Sequence, residues 1–389
     1  MAPAERRLCQ SRDCLVDDWK WPHRDGSGRS REQANTTSPQ CARELDGHML
    51  RQCLSIALVS AFTTAGAASI PMPPAWLAGY IVKGALSYSN VEWARRRWSP
   101  DPKDQLEWRG ALDWSMQVKA ARASEIADDL GRVGVARATL VPGCYENEVC
   151  HQLEDMEESA ASFSDWNTFN AAVQEATPYI EGYRYAIETT AHVDTQDPNT
   201  TLHDKLVAAL ALDQTNMIGL TGFNYPERQL PVMSAPALAV FKLALLQLSR
   251  DRFKTNAHML EAVIAAQGWP KRSQIGDAAE NAAWILVQHA DYDPLLQYKA
   301  LQLIEVRVKE GEADPKNAAY LHDRVMLKLT GKQRYGTQLQ CRNGKLQPQP
   351  LDDADHVDLL RKDVNLPPLG KYMSMFSPNN CRTDPASRR

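Results

Sequence analysis

The chain has 389 residues, of which 43% are hydrophobic and 24% are charged, and its formal net charge at pH 7 is −4. This is the composition of a globular protein long enough for one large domain or two modest ones. The slightly acidic balance argues against a nucleic-acid partner, because proteins that bind nucleic acids usually carry a strongly basic surface.

The first feature along the chain is an apolar segment at residues 49–67. Arg51 precedes an uncharged apolar run, and the sequence AGA at residues 65–67 is the small-x-small pattern that signal peptidases accept. We predict a signal peptide that starts at Met49, with residues 1–48 as a non-native or disordered leader. A disordered leader before an ordinary buried helix and a membrane anchor are the alternatives. We therefore expect a periplasmic or secreted protein with no stable membrane insertion after signal cleavage, the alternative being a cytoplasmic one.

The cysteines of the expected mature chain are Cys144, Cys150, Cys341 and Cys381. An even number suits disulfide bonds in an oxidising compartment. The short spacing in CYENEVC favours a Cys144–Cys150 bond, and Cys341 with Cys381 would then tie the C-terminal tail to a hairpin. Reduced, buried cysteines in a cytosolic protein are the alternative. Because no Cys-x-x-Cys spacing occurs, a structural zinc site is not expected.

Apolar residues recur at three- and four-residue spacing through most of the remaining chain, which predicts α-helices. An N-terminal helical region over residues 68–200 is predicted by the segments WLAGYIVKGAL, LDWSMQVKAARASEIADDLGRV and FNAAVQEATPYIEGYRYAIETTAHV. The polar, turn-rich sequence at residues 192–201 predicts a linker. A C-terminal helical domain is expected over residues 201–376, followed by a tail at residues 377–389.

Two helix starts in this second region share one signal, an aspartate followed by a proline. We predict Asp293 and Asp314 as N-caps, because a carboxylate accepts hydrogen bonds from first-turn N–H groups and proline fits the first helical position. Asn343-Gly344, between alternating residues, predicts a β-hairpin. The sequence therefore predicts a mainly α fold with one small β-hairpin near the C-terminus.

Several motifs of the C-terminal half occur in a fixed order: GWPKRSQIGDAAENAAWILVQHADYDPLLQ, AAYLHDRV, GKQRYGTQ and VDLLRKDVNLPPL. Together, over roughly residues 206–376, they resemble an uncharacterised bacterial family, domain of unknown function 6624. The resemblance implies a domain identity and a set of signature residues, but no activity. The positions that match are Gly268, Trp269, Gly276, Gln288, His289, Asp291, Asp293, Gln297, Tyr320, Asp323, Arg324, Tyr335, Gly336, Thr337 and Gln338.

The residue types at the predicted junction between two helices favour acid–base chemistry. His289 falls in the last turn of a helix, whose carbonyl end favours imidazolium, and Asp291 and Asp293 follow it. As a hypothesis, in a hydrolase His289 would be the general acid/base, Asp291 the group that orients it, and Arg324 the holder of substrate charge. Asp293 is expected mainly to cap the next helix. A divalent metal on the histidine and the two aspartates is the alternative, and no cofactor is predicted.

A polar pocket beside this junction would be completed by residues from two further segments. The predicted ligand-binding residues are Gln288, Tyr320, Asp323, Tyr335, Thr337 and Gln338. These residues also have a structural interpretation, because their hydroxyl and amide groups could complete loop hydrogen bonds. Arg324 could likewise form an ion pair with Asp291 or Asp323.

From these residues we predict an exported protein whose pocket takes a small polar or anionic ligand or a partner peptide. A hydrolase that uses His289 and a structural adaptor in the cell envelope are the alternatives. The sequence contains no His-Glu-x-x-His, Gly-x-Ser-x-Gly, Ser-x-x-Lys, P-loop or dinucleotide-binding motif. This argues against the corresponding metalloproteases, serine hydrolases, penicillin-binding proteins and nucleotide-binding proteins. The oligomeric state stays open.

Overall fold

The computed structural model describes residues 69–87, 90–135, 140–190, 199–221, 232–342 and 344–376. These residues all lie in one compact unit. The predicted leader, signal peptide and C-terminal tail, and most of the predicted linker, lie outside the described residues.

The fold is mainly α, which confirms the fold class predicted from the sequence. In chain order the helices are α1 (Ala75–Ala78), α2 (Pro102–Arg132), α3 (Glu148–Ser159), α4 (Trp166–Thr190), α5 (Leu202–Thr221), α6 (Ala235–Gln267), α7 (Arg272–Gln288), α8 (Pro294–Lys309), α9 (Pro315–Thr330), α10 (Val357–Asp363) and α11 (Leu369–Met373). Short 3₁₀ helices at Val91–Arg97 and Ala160–Ser162 precede α2 and follow α3. None of the helices in the described ranges combines the length and the apolar character needed to cross a bilayer.

The hairpin predicted near the C-terminus is present. Strand β3 (Leu339–Arg342) pairs antiparallel with β4 (Lys345–Pro348), and Gln340 lies opposite Gln347. Gly344 in the turn has φ of 69°, a left-handed conformation that glycine adopts without strain.

A second, smaller hairpin lies where the sequence pattern predicts only helix. Strands β1 (Ile81–Val82) and β2 (Ala85–Leu86) pair antiparallel. Lys83 and Gly84 between them both have positive φ, 51° and 81°, as a tight two-residue hairpin turn requires. Helix α1 ends at Ala78, after only one helical turn, and β1 begins three residues later.

Helices α8 and α9 begin at the predicted capping residues. Asp293 accepts a hydrogen bond from the N–H of Leu296 at 2.8 Å, and Asp314 accepts one from the N–H of Lys316 at 2.8 Å. Helix α9 ends at Gly331, which is left-handed with φ of 74°. The caps therefore fix where these two helices start, as the sequence predicts.

Apolar side chains form two cores that share one helix. The first core contains Trp93 and Trp108 together with residues from the first half of α6, such as Phe241. The second contains Trp269 and residues of α5, α7, α8 and α9, together with Leu260 from the second half of α6. Helix α6 therefore connects the predicted N-terminal region to the C-terminal helices, and the predicted boundary between the two regions stays a prediction.

One of the two predicted disulfide bonds lies within the described residues. Cys144 and Cys150 are bonded at the start of α3, six residues apart in sequence. Cys341 is disulfide-bonded as well. Cys381 lies outside the described residues, so the predicted Cys341–Cys381 pairing stays a prediction.

Candidate functional site

The connection between α7 and α8 is held by a glutamine from the first turn of α8. Gln297 is fully buried, and its Nε2 donates to the carbonyl oxygens of Val287 at 3.0 Å and Gln288 at 3.1 Å. These carbonyls lie at the end of α7, where the helical hydrogen-bond pattern stops, and that of Val287 also accepts from the N–H of Ala290 at 3.2 Å. Gln297 therefore fixes the geometry of the connection at residues 288–293, from which the predicted site residues project.

His289 projects from this connection towards α5. Its Nδ1 lies 2.7 Å from Oδ1 of Asp213, both side chains are buried, and the ring of Phe253 packs 5.4 Å away. Asn256 Nδ2 lies 3.5 Å from the second oxygen of Asp213. A carboxylate at Nδ1 favours one ring orientation and one tautomer of the imidazole. Asp213, and not the predicted Asp291, is the carboxylate that the structure places at this nitrogen.

Asp291 projects towards α9 instead, where two cations bond it. Arg324 Nε donates to Oδ1 at 2.8 Å, and its Nη2 bonds Oδ2, so the contact is bidentate. Lys328 Nζ bonds Oδ1 of Asp291 and donates to Oε1 of Gln297 at 2.8 Å. The side chains of Asp291, Arg324 and Lys328, here called the cationic cluster, are 22%, 14% and 24% exposed.

Burial and neighbouring charges act in opposite directions on the pKa values of the cationic cluster. Burial tends to raise the pKa of Asp291, but Arg324 and Lys328 outweigh it and hold this pKa well below its usual range. Burial, assisted by the charge of Arg324, lowers the pKa of Lys328, although Asp291 acts in the opposite direction. Arg324 and Lys328 thus converge on the carboxylate of Asp291, and the charge of Asp293 also acts on Lys328.

Asp323 has a structural role in the YGTQ segment. It is fully buried and accepts hydrogen bonds from the backbone N–H groups of Arg334 at 2.8 Å, Tyr335 at 2.9 Å and Thr337 at 2.8 Å. The hydroxyl of Thr337 donates to it as well, at 2.9 Å, and accepts from the side-chain amide of Gln338 at 3.2 Å. These bonds occupy the oxygens of Asp323 and the Thr337 hydroxyl, both of which the sequence suggested for a ligand.

The two predicted tyrosines pack against other rings. Tyr320 lies on α9 one turn before Arg324, between Trp284 at 6.2 Å and Tyr372 at 6.3 Å, measured between ring centroids. Tyr335 packs against His322 at 5.5 Å. Burial raises the pKa of both tyrosines. They therefore stay neutral at physiological pH.

The structure does not bring His289, Asp291 and Asp293 together as ligands of one metal ion. Their side chains bond Asp213, the cations of α9, and the N–H of Leu296, respectively. Cys144, Cys150 and Glu154 are the group of potential metal ligands that lie close together in the described ranges. Two of these three are joined in the disulfide bond.

Two members of the site were not identified from the sequence. Lys328 follows Arg324 by four residues, so helical spacing places both on one face of α9 and could have revealed it. Asp213 lies 76 residues before His289 on a helix without a motif. Only the packing of α5 against α7 reveals their pairing.

The fold and the site define a helical domain with a buried carboxylate–imidazole pair on one side of a helix junction and a cationic cluster on the other. The C-terminal part of the chain, residues 244–380, matches a family of unknown function, DUF6624. This match confirms the resemblance of the motifs, over a somewhat shorter range than they suggest. No curated protein and no solved structure matches the chain.

Proposed function

We propose that the protein is exported and binds a small anionic ligand, or an acidic group of a peptide, at the cationic cluster. The observation that supports this most directly is the convergence of Arg324 and Lys328 on the single carboxylate of Asp291. A planar guanidinium suits bidentate contact with a carboxylate or phosphate, and an ammonium adds charge without a fixed geometry. A bound anion would be held by both cations.

The neighbours of the cationic cluster hold Arg324 and Lys328 in place before any ligand binds. Arg324 and Lys328 stand one turn apart on α9, and Gln297 holds both the end of α7 and the Lys328 ammonium. All three cluster side chains keep partial contact with solvent. Groups that are already held in place lose little conformational entropy when a ligand binds.

Export is supported by the disulfide bond between Cys144 and Cys150. Such bonds persist in oxidising compartments and are rare in the cytosol. The intact mass of the natively produced protein tests this part of the proposal. A mass that starts after residue 67 and lacks two hydrogens for each disulfide supports export, and an uncleaved, reduced chain would reject it.

The binding proposal is tested by thermal unfolding in inorganic phosphate against chloride at matched ionic strength, which separates binding from screening. We expect phosphate to raise the melting temperature of the wild type. At 100 times the dissociation constant the gain would be about 2.7 kcal/mol. Arg324→Gln and Lys328→Gln should lose the response.

Arg97→Gln is a matched control, because Arg97 also pairs with a carboxylate, that of Glu157 at 2.6 Å, but belongs to the N-terminal region. This variant should keep the full response to phosphate. If Arg324→Gln responds like the wild type, or if phosphate and chloride act equally at matched ionic strength, the cluster is not the anion site and the proposal fails.

A second candidate function, a hydrolase, is favoured by the 2.7 Å contact between His289 and Asp213. A histidine oriented by a carboxylate is the usual form of a general base in hydrolases. Assays on a panel of chromogenic carboxylic and phosphoric esters would test it with His289→Ala and Asp213→Asn. Turnover that both variants lose while they remain folded supports the candidate, and turnover that persists in both rejects it.

A further inference from the structure

Arg361 on α10 is a buried cation whose hydrogen-bond donors are only partly used. Its side chain is 0% exposed. Nε donates to the carbonyl oxygen of Pro367 at 2.6 Å, and Nη1 bonds that of Tyr335. Nη2 has no hydrogen-bond acceptor among the described residues. A buried donor without an acceptor is unfavourable, and more so when it carries charge.

The nearest carboxylates do not neutralise this guanidinium by direct contact. Asp323 is bonded to the YGTQ backbone, as described above, and Asp358 accepts a hydrogen bond from the N–H of Leu369 at 2.7 Å. Both act on Arg361 only as distant charges, and burial has the larger effect, lowering the pKa of Arg361. The positive charge of Arg361 therefore has no paired anion in the described part of the chain.

A row of aromatic rings extends from this guanidinium. Arg361 lies over the ring of Tyr372 at 4.9 Å from its centroid, and Tyr320 and Trp284 continue the row. Trp284 is also buried, and its Nε1 has no hydrogen-bond acceptor among the described residues. Donors without acceptors thus lie at the two ends of this row. Tyr320 itself is half-buried and gives the row a contact with solvent.

We propose that Arg361, Tyr372, Tyr320 and Trp284, here called the Arg361 site, bind an organic carboxylate whose apolar body packs on the rings. A carboxylate carries a negative charge that would pair with the Arg361 guanidinium, and its oxygen would accept a hydrogen bond from Nη2. Both groups are planar, so they can lie in one plane. Aromatic faces favour an apolar body over a compact, strongly hydrated anion. The site uses no residue of the cationic cluster, so it is independent of the function proposed above.

The test uses the full chain, labelled with ¹⁵N, and benzoate as the probe. The indole N–H signal of Trp284 is the one that is lost in the spectrum of Trp284→Phe. This signal should shift as benzoate is added, and the shift should reach saturation. Benzyl alcohol has the same ring without the charge and should produce no saturable shift, and inorganic phosphate should not either. Arg361→Gln should weaken benzoate binding by about tenfold or more.

Because Arg361 also holds two backbone carbonyls, Arg361→Gln could fail to fold, and Trp284→Phe then decides. This variant keeps the ring but loses the N–H donor. It should melt near the wild-type temperature, yet show a smaller rise in melting temperature with benzoate. Should it instead respond to benzoate as fully as the wild type does, the site is rejected.

The outcome is separable from that of the phosphate experiment. Arg324→Gln should leave benzoate binding unchanged, and Trp284→Phe should leave the response to phosphate unchanged. The Arg361 site is rejected if the Trp284 signal shows no saturable shift with benzoate, or if benzyl alcohol or phosphate moves it equally. If no saturable shift occurs, we conclude that only solvent accepts a hydrogen bond from Nη2 of Arg361.

Discussion

Replacing Glu280 with glutamine should stabilise the folded protein at about pH 9 and change little at about pH 4. Glu280 lies on α7, is 3% exposed, and has one side-chain oxygen, Oε1, without a hydrogen-bond partner. The nearest paired cation, Nη2 of Arg272, is 3.9 Å from the other oxygen. Burial raises the pKa of Glu280 to about 7, although Arg272 acts to lower it.

The size of the effect follows from the difference between the folded pKa and the ordinary value, 4.5. A shift of about 2.5 units corresponds to about 3 kcal/mol. Because the pKa is raised, the folded state holds the proton more tightly than the unfolded state. The resulting stability is complete below the unfolded pKa and is lost as the pH rises through about 7. Glutamine has no charge to bury but loses the weak attraction to Arg272, so we expect a gain of about 2 kcal/mol.

Urea unfolding of the wild type and Glu280→Gln across this pH range measures the difference in the free energy of unfolding. Glu312→Gln is the control, because hydrogen bonds from Ser273 lower the pKa of this glutamate, so its removal should not stabilise the protein at high pH. If Glu280→Gln gains nothing at high pH, or if its stability falls between pH 4 and 9 as steeply as that of the wild type, the assignment of a buried charge to Glu280 is incorrect.

Three further variants test other parts of the structure. Asp291→Asn should bind phosphate more tightly in calorimetric titration, because it frees the two cations, and unchanged affinity would contradict the anion site. The same variant should lose about 1–3 kcal/mol of stability. Asp323→Asn should lower the free energy of unfolding in urea by about 3 kcal/mol, because a neutral amide cannot accept from all the N–H and O–H donors that converge on Asp323. A loss below about 1 kcal/mol would contradict the structural role of this residue. Cys144→Ala with Cys150→Ala should lower the free energy of unfolding by about 2 kcal/mol in urea without reductant; an unchanged value would contradict a stabilising role of this disulfide bond.

The helix starts and the C-terminal hairpin could be predicted because their signals are local. An aspartate before a proline marks the first turns of α8 and α9, and the caps at Asp293 and Asp314 form with the expected geometry. The hairpin at residues 81–86 was missed because its turn depends on a positive φ at Lys83, a residue that seldom adopts one. A short apolar run does not distinguish a strand from a helix.

The candidate site was only partly predictable, because a side chain that can bind a ligand can also bind the backbone. Asp323 has the composition of a ligand-binding residue, yet the tight turn at Gly336, with φ of 67°, aligns several N–H groups that its carboxylate satisfies. The pairing of Arg324 with Asp291 was considered from the sequence, since both residues are charged. The contact between His289 and Asp213 depends on the packing of two helices far apart in the chain, which no local pattern encodes.

The position of Asp213 has a practical consequence for how the family domain is delimited. The family match begins at residue 244, so a fragment cut there would keep His289 and discard the acid that contacts it. The imidazole would then sit at a truncated surface without the carboxylate that contacts its Nδ1. Activity measurements on such an excised domain would describe an altered histidine, and the smallest piece worth expressing begins before α5.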